Sequence, residues 1–368
     1  MTQPRRLLLA TLSLGALLAA MPPLHAQGAA PAETSNTMER ARPDMRRVIE
    51  KLMQLGAKPL GTQSVEATRA GPTPADAVKA LLRDAGKDPA ALMAATGVKI
   101  TNMAYPTAGG TQAIRIYTPS GAAAGQALPV IVFIHGGGWV IADLDTYESS
   151  AVALAKKTGA IVASVEYRHA PENRFPAAHD DTVAAYKWVL QNAASFGADP
   201  KRIAVAGESA GGNMALDVAI AARDQKLQMP AHMLLVYPVA GTDLTTPSYK
   251  ENEKAVPLSK AAIEWFVKNT IQSPADLQDP RLNVVGHANL RGLPPATIIN
   301  AGIDPLASDG QLLAEKLQAA GVKVTRHLYP AVTHEFFGMD AVVADAATAQ
   351  DVAASDLRAA LGTKPAVQ

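Results

Sequence analysis

The chain has 368 residues and no cysteine. Without thiols there can be no disulfide bond, no thiolate metal site, no catalytic thiol and no cysteine lipidation. Charge is sparse as well, because Asp, Glu, Lys and Arg make up 18% of the residues and the formal net charge is +1. Since no basic run or stripe lies beyond the extreme N-terminus, the composition gives no indication of nucleic acid as a partner.

Motifs that bind nucleotide cofactors are also missing from the sequence. Neither G-x-G-x-x-G nor the phosphate-binding G-x-x-x-x-G-K-[ST] occurs, and there is no internal repeat. We therefore expect neither a cofactor nor a metal. Apolar residues, by contrast, make up 48% of the chain, which is enough for the core of one large domain or two smaller ones.

The first residues have the layout of a secretory signal peptide. Arg5 and Arg6 precede an uncharged apolar run over residues 7–20, and the segment ends on a small residue, Ala26. Residues 1–26 are therefore interpreted as a signal peptide for export to a bacterial periplasm or to the medium, by the general or the twin-arginine route. An uncleaved anchor is the alternative, but the run is shorter than the about 20 residues that a membrane span needs, so no stable membrane anchor is expected.

Residues 27–97 are interpreted as a lead-in followed by cap helices. Apolar residues near helical spacing predict one helix over residues 40–55, and a Thr-Pro start predicts a second helix from Thr73. A connector rich in glycine and proline lies between them. Since both helices precede the first predicted strand, we expect them to form a cap and residues 98–368 to form the main domain.

From residue 100 onward, short apolar runs alternate with segments of helical periodicity. Strands are predicted at residues 114–117, 130–134, 161–165, 203–206, 233–237, 296–300 and 324–329. Helices are predicted at residues 148–157, 178–193, 211–224, 259–269, 309–320 and 345–361. This alternation predicts an α/β fold with a mostly parallel sheet and helices on both faces, in which ligands bind beyond the carboxyl ends of the strands.

A G-x-S-x-G pentapeptide, residues 207–211, stands between a predicted strand and a predicted helix. A serine on such a sharp turn presents its hydroxyl to a base, which is the layout of a nucleophile in acyl transfer. The alternative is that Ser209 only caps the following helix, a role that suits serine. The pentapeptide by itself does not separate these two interpretations.

Three consecutive glycines at residues 136–138 follow a buried strand and are flanked by His135 and Trp139. Glycines leave backbone N–H groups accessible to a ligand, as an oxyanion hole requires. We favour that function over a plain flexible loop. His135 is expected to hold the loop in place by hydrogen bonds.

A base and an orienting carboxylate are expected after the later strands. His334 lies in the loop after the last predicted strand, and Asp304 directly follows the strand before it. The order serine, acid, histidine is the one found in α/β-hydrolases. Asp309 is explained instead as the N-cap of the next helix, and the alternative for Asp304 is a turn aspartate before Pro305.

Taken together, these segments resemble the hormone-sensitive-lipase-like branch of α/β-hydrolase carboxylesterases, also called bacterial family IV. The matching segments, in the family's order, are HGGGW (135–139), YRHAPE (167–172), GESAGGN (207–213), DPL (304–306) and His334. The resemblance covers about residues 100–361. It implies the α/β-hydrolase fold, donation of backbone N–H groups to the oxyanion by Gly137, Gly138 and Ala210, and a mainly scaffolding role for residues 167–172.

The chain departs from the family's pattern at three positions. Glu208 stands where many members carry Asp, and Ser308 stands where an acidic residue often follows the DPL segment. Glu335 follows the histidine where Gly-Phe is frequent. These differences are expected to affect substrate preference and the local support of Asp304 more than the mechanism.

The sequence therefore predicts a secreted serine carboxylesterase that acts on short- to medium-chain acyl esters. Ser209, Asp304 and His334 would form the triad, and a small ester would be the partner. The alternatives are a serine hydrolase of amides, peptides or β-lactams, and a non-catalytic binding protein on the same fold. A homodimer through the last strand, residues 324–329, is also open.

Overall fold

The computed structural model describes Met1 and residues 37–121 and 125–364. The predicted signal peptide, apart from Met1, and nearly all of the predicted lead-in lie outside the described residues. The fold described below is that of the compact unit Glu33–Gln368.

An eight-stranded sheet forms the centre of this unit. Its strands are β1 (Lys99–Thr107), β2 (Gly110–Thr118), β3 (Leu128–Ile134), β4 (Ile161–Val165), β5 (Ala198–Glu208), β6 (Met233–Val236), β7 (Ala296–Ile303) and β8 (Val324–Thr333). Their order across the sheet is β1-β2-β4-β3-β5-β6-β7-β8. The pairs β1–β2 and β2–β4 are antiparallel, and every other pair is parallel. The prediction of a mostly parallel sheet is therefore confirmed.

Thirteen α-helices occur in the described part of the chain. They are α1 (Thr37–Arg40), α2 (Pro43–Gln54), α3 (Val65–Arg69), α4 (Pro74–Asp84), α5 (Pro89–Ala94), α6 (Glu148–Thr158), α7 (Ala177–Asn192), α8 (Ala210–Asp224), α9 (Pro247–Glu251), α10 (Lys260–Thr270), α11 (Val284–His287), α12 (Ala307–Ala319) and α13 (Ala344–Leu361). Short 3₁₀ turns lie at Ala193–Phe196, Pro274–Gln278 and Phe336–Gly338. None of the helices in these described ranges is long and apolar enough to cross a membrane.

Helices cover both faces of the sheet because its inner strands are apolar on both faces. In β3, Val130, Val132 and Ile134 belong to one core cluster, which also takes in residues of α7, α8 and α12. The alternate residues Ile131 and Phe133 belong to a second cluster with residues of α2, α6 and α13. Such continuous apolar runs are typical of a parallel strand buried on both sides.

The first strand, β1, was not predicted from the sequence. Six of its nine residues are exposed and only Tyr105 is buried, so it carries no apolar run that periodicity could detect. It is held at the edge of the sheet by nine-residue antiparallel pairing with β2. Backbone hydrogen bonding, rather than side-chain burial, therefore determines this element.

One assignment in the sequence analysis was wrong. Asp309 does not cap α12, which already begins at Ala307. Its carboxylate is buried and accepts hydrogen bonds from the backbone N–H groups of Ala240 and Gly241, each at 2.9 Å. This role depends on tertiary packing, because α12 lies beside the loop that follows β6. Asp309 there accepts from two N–H groups that would otherwise be buried without acceptors.

The predicted N-terminal helices are present as α2 and α4. Thr73 caps α4 in a capping box with Asp76, as the Thr-Pro start indicated. Apolar residues of α2, among them Met45 and Val48, are buried in the same cluster as the sheet. At the other side of the sheet, β8 is an edge strand with Leu328 48% exposed.

Candidate active site

Ser209 lies on the turn between β5 and α8. Its backbone has φ +57° and ψ −120°, a conformation that non-glycine residues rarely adopt and that costs about 1–3 kcal/mol. Its side chain makes no capping hydrogen bond to α8. The interpretation of Ser209 as a simple helix cap is therefore wrong, because the hydroxyl is turned away from the helix backbone.

Two glycines make this turn sterically feasible. A Cβ atom on Gly207 would collide with the carbonyl group of Gly211, and a Cβ on Gly211 would collide with the carbonyl oxygen of Ile134 in β3. The first and last positions of the pentapeptide therefore accept only glycine, because α8 leaves the turn in direct contact with the neighbouring strand.

The structure brings together the three residues predicted to form a triad. His334 Nε2 lies 2.9 Å from Ser209 Oγ, and His334 Nδ1 lies 2.7 Å from Asp304 Oδ2. All three residues are buried, with exposed fractions of 6% for Ser209, 3% for His334 and 0% for Asp304. When the neutral imidazole carries its proton on Nδ1, where Asp304 accepts it, Nε2 is free to accept a hydrogen bond from the serine hydroxyl.

The environment of Asp304 explains how its carboxylate is held. Its Oδ1 accepts the backbone N–H of Leu306 at 2.9 Å, and its own carbonyl oxygen accepts from the Asn252 side chain at 3.2 Å. Ser308 exchanges two hydrogen bonds with Ser248 of α9, which ties the start of α12 to α9. Asp304 is thus a buried, hydrogen-bonded residue rather than a plain turn aspartate.

Two opposing effects act on the pKa of His334. Burial lowers the pKa, but the charge and hydrogen bond of Asp304 raise it by more, so that it lies above its ordinary value. The nearby charge of Glu335 adds a smaller contribution in the same direction. The imidazolium form is therefore stabilised where a proton from Ser209 would arrive.

The glycine loop lies beside Ser209 in the same cavity. Gly137 has φ +101° and Gly138 has φ +59°, both in the region that favours glycine. Within the described ranges, neither of their N–H groups has a hydrogen-bond acceptor. Ala210 is the first residue of α8, so its N–H group has no partner inside the helix either.

His135 holds the glycine loop, as expected. Its Nδ1 lies 2.8 Å from the carbonyl oxygen of Gly136, and its Nε2 lies 3.2 Å from Glu166. The Tyr167 hydroxyl donates to the same Gly136 oxygen at 2.9 Å, and its ring stacks on His135. The segment that begins at Tyr167 therefore acts as scaffold for the loop.

One group of possible metal ligands lies behind this loop. The ligand atoms of His135, Glu166 and His169 lie within 4.8 Å of one another. The Nε2 atom of each imidazole is 3.2 Å from the same Glu166 oxygen. Burial raises the pKa of Glu166, but the contacts with the two imidazoles bring it well below its ordinary value. Contacts with the Glu166 carboxylate therefore account for the arrangement of these three side chains.

Two tyrosines next to the triad were not identified from the sequence. The Tyr237 hydroxyl donates to Glu208, and its ring centroid lies 4.4 Å from that of His334. The Tyr147 hydroxyl donates to Glu335 Oε1 at 2.7 Å. Tyr237 directly follows β6, so the strand-end rule could have found it, whereas no sequence signal marks Tyr147.

Glu208, the residue before the nucleophile, is also buried. Burial raises the pKa of Glu208 to about 8, and the nearby charge of Glu335 acts in the same direction. At neutral pH this carboxyl group is therefore mostly protonated. Glu208 therefore accepts the hydrogen bond of Tyr237 without adding a full buried charge beside Ser209.

The cavity above Ser209 has a volume of about 980 Å³. Residues of α2 and of the connector after it line the cavity, among them Leu52 and Leu60. Residues of α10, among them Ile263 and Phe266, line it as well. The sequence predicts α10 only as a helix between strands, because a helix that folds over a site has the same periodicity as one that covers the sheet.

Comparison with known proteins places this architecture in a family. The α/β-hydrolase fold family matches residues 131–338. Carboxylesterase NlhH of Mycobacterium tuberculosis is 42% identical over 252 residues, which are 67% of this chain and 78% of that protein. Ethyl acetate hydrolase of Pseudomonas putida is 34% identical over 239 residues, covering 65% of this chain and 75% of that protein.

Solved structures give the same result. One is the ester-hydrolase EH1AB1 from the metagenome of Lake Arreo, complexed with a bipyridine phosphonate derivative. It superposes on this chain with a TM-score of 0.77 at 35% sequence identity. The match covers 88% of this chain and 100% of that chain. The chain therefore belongs to the α/β-hydrolase fold family. Within that family it is a member of the hormone-sensitive-lipase-like carboxylesterases, and it is a carboxylic ester hydrolase, as predicted.

The electrostatics of His334 can be measured directly. We expect the imidazole of His334 to titrate above its ordinary pKa of about 6.5, and Asp304→Asn to lower that pKa because the opposite charge is removed. NMR titration of the histidine ring protons in both proteins is the measurement. His232, whose pKa burial lowers to about 4, is the internal control and should not respond. An unchanged His334 pKa in the variant would refute the Coulombic explanation.

Proposed function

We propose that the protein hydrolyses carboxylic esters through an acyl-enzyme on Ser209, with His334 as base and then acid. The observation that carries the proposal is the pair of hydrogen bonds that joins Ser209 to His334 and His334 to Asp304. That geometry is what nucleophilic catalysis by a serine requires, because a serine hydroxyl is not nucleophilic until a base takes its proton.

In acylation, Ser209 Oγ bonds to the ester carbonyl carbon while its proton passes to His334 Nε2. Asp304 fixes the tautomer of His334 and stabilises the imidazolium. Collapse of the intermediate breaks the bond to the alcohol oxygen, which takes the proton from His334. Because only the neutral imidazole can act as base, activity falls as the pH falls through the raised pKa of His334.

The negative oxygen of the tetrahedral intermediate needs donors fixed in advance. The N–H groups of Gly137, Gly138 and Ala210 are assigned this role. Support comes from the positive φ angles of the two glycines and from the loop's place in the cavity with Ser209. The N–H group of Ala210, which has no acceptor inside α8, adds to it. Each such donor typically contributes about 10²–10³-fold to kcat.

The nucleophile is tested by Ser209→Ala. We expect loss of p-nitrophenyl acetate hydrolysis by about 10³-fold or more, because the covalent path is removed. We also expect the wild-type protein to be labelled by a fluorophosphonate, with no labelling of the variant. Ser164→Ala, which removes another buried serine, is the matched control. A wild-type protein that resists the probe and cleaves no ester would instead indicate a binding protein, and cleavage of p-nitroanilides alone would indicate an amidase.

The size of the cavity supports short- to medium-chain acyl esters as substrates. A volume of about 980 Å³ holds a ligand of small-drug size, and the relative from Pseudomonas putida is named for the ester of a two-carbon acid. In a series of p-nitrophenyl esters from C2 to C16, kcat/KM is expected to be highest between C4 and C8 and at least about 10-fold lower at C16. A maximum at C16 would contradict this proposal.

We also propose that the protein is exported and cleaved after Ala26. Support comes from the residue pattern of the first 26 positions alone. After expression in a Gram-negative bacterium, the intact mass of the periplasmic protein should correspond to a chain that begins at Gln27. Replacing both Arg5 and Arg6 by Lys would stop export by the twin-arginine route but leave the general route working. Recovery of the full-length chain in the cytoplasm would refute the proposal.

A further inference from the structure

A second carboxylate lies close to the triad histidine, on the side away from Asp304. Glu335 Oε1 is 3.8 Å from His334 Nε2, which is the nitrogen that exchanges a proton with Ser209. The Tyr147 hydroxyl donates to this same oxygen at 2.7 Å and so fixes its position. Glu335 lines the cavity with Ser209, and its side chain is 21% exposed.

The backbone at Glu335 has a conformation that disfavours residues with a side chain. Glu335 has φ +72° and ψ +2°, in the left-handed region that glycine adopts without cost and that other residues mostly avoid. A strained glutamate where glycine would be relaxed is the kind of observation from which a functional role can be inferred.

The spacing of the two polar atoms fits one water molecule. A water about 2.8 Å from each of two atoms can bridge a separation of 3.8 Å. Such a water would direct one O–H to Nε2 and the other to Oε1, and both atoms can accept. It would also occupy the region next to Ser209 Oγ where the alcohol of the ester departs.

Several charged or titratable groups surround this pair of residues. Those that interact electrostatically with His334 or Glu335 are Asp304, Glu208, His135, Tyr147, Tyr237 and Tyr167. Asp304 is engaged with Nδ1 and Leu306, and Glu208 is engaged with Tyr237. Glu335 is therefore the carboxylate that can accept a hydrogen bond from a water on the Nε2 side.

We propose that Glu335 is a positioning residue for the hydrolytic water in deacylation, an inference that rests on the proposed function. The water oxygen bonds to the acyl carbon as one water proton passes to His334 Nε2, while the other O–H stays hydrogen-bonded to Glu335 Oε1. Collapse of the intermediate then breaks the bond from the acyl carbon to Ser209 Oγ, which takes the proton from His334. The carboxylic acid leaves, and the charge of Glu335 is unchanged throughout.

The test separates the two half-reactions by stopped-flow measurement with p-nitrophenyl acetate. In Glu335→Gly, acylation should stay within about 3-fold of wild type while deacylation falls about 30- to 100-fold, as for the loss of a group that orients a reactant. A burst of one p-nitrophenolate per enzyme followed by a slow steady state is the expected signature. Glu335→Gln keeps one acceptor oxygen, so its deacylation should fall less, by about 3- to 10-fold.

Three further measurements distinguish positioning from a merely structural role. Glu335→Gly should have an equal or higher Tm, because glycine relieves the left-handed backbone. Added formate should restore part of its deacylation rate by supplying a carboxylate in the vacated space. Glu253→Gln removes an exposed carboxylate from the same cavity wall and should keep the wild-type ratio of the two rates.

The acylation and deacylation rates of the Glu335 variants can either support or overturn the proposed role. Equal losses in acylation and deacylation, or no loss in either, would overturn the assignment of Glu335. So would a lower Tm together with no response to formate. Failure of the proposed function would look different, because the wild-type protein would then show neither ester turnover nor labelling of Ser209 by a fluorophosphonate.

Discussion

The site depends on one backbone constraint, the strained turn at Ser209. The turn persists because β5 and α8 are both fixed in the core, and α8 packs so closely on β3 that Gly211 touches the carbonyl of Ile134. The local cost of about 1–3 kcal/mol is small compared with the free energy gained by burying the apolar residues of the elements on either side. The same turn sets the direction of the serine hydroxyl and places the N–H of Ala210 at the start of α8, where the helix offers it no acceptor.

Electrostatics provides the second level of organisation around His334. Asp304 on the Nδ1 side and Glu335 near the Nε2 side both favour the imidazolium. So much negative charge in a buried region would be unfavourable if it were not dispersed, since desolvation acts against every ionised group. Tyrosine hydroxyls donate to Glu335 and Glu208, and Glu208 is mostly neutral at pH 7 because burial raises its pKa to about 8.

Sequence patterns predicted the parallel part of the fold well, because its strands are continuous apolar runs and its helices are amphipathic. They missed β1, whose residues are mostly exposed and which exists through pairing with β2. They also misassigned Asp309, since a carboxylate near a helix start looks the same in sequence whether it caps that helix or binds a distant loop. A local sequence pattern cannot distinguish two roles of a residue that differ only in which distant residue it contacts in the fold.

The sequence by itself determined the order of the parts: a glycine-bounded serine after one strand, an aspartate after another and a histidine after the last. It could do so because parallel strands deliver their carboxyl ends to one edge of a sheet. Only the tertiary structure decided the distances between Ser209, Asp304 and His334, the folding of α10 over the cavity, and the meeting of Tyr147 with Glu335. Those contacts join residues as far as 188 positions apart in the chain, and only packing of the whole domain brings them together.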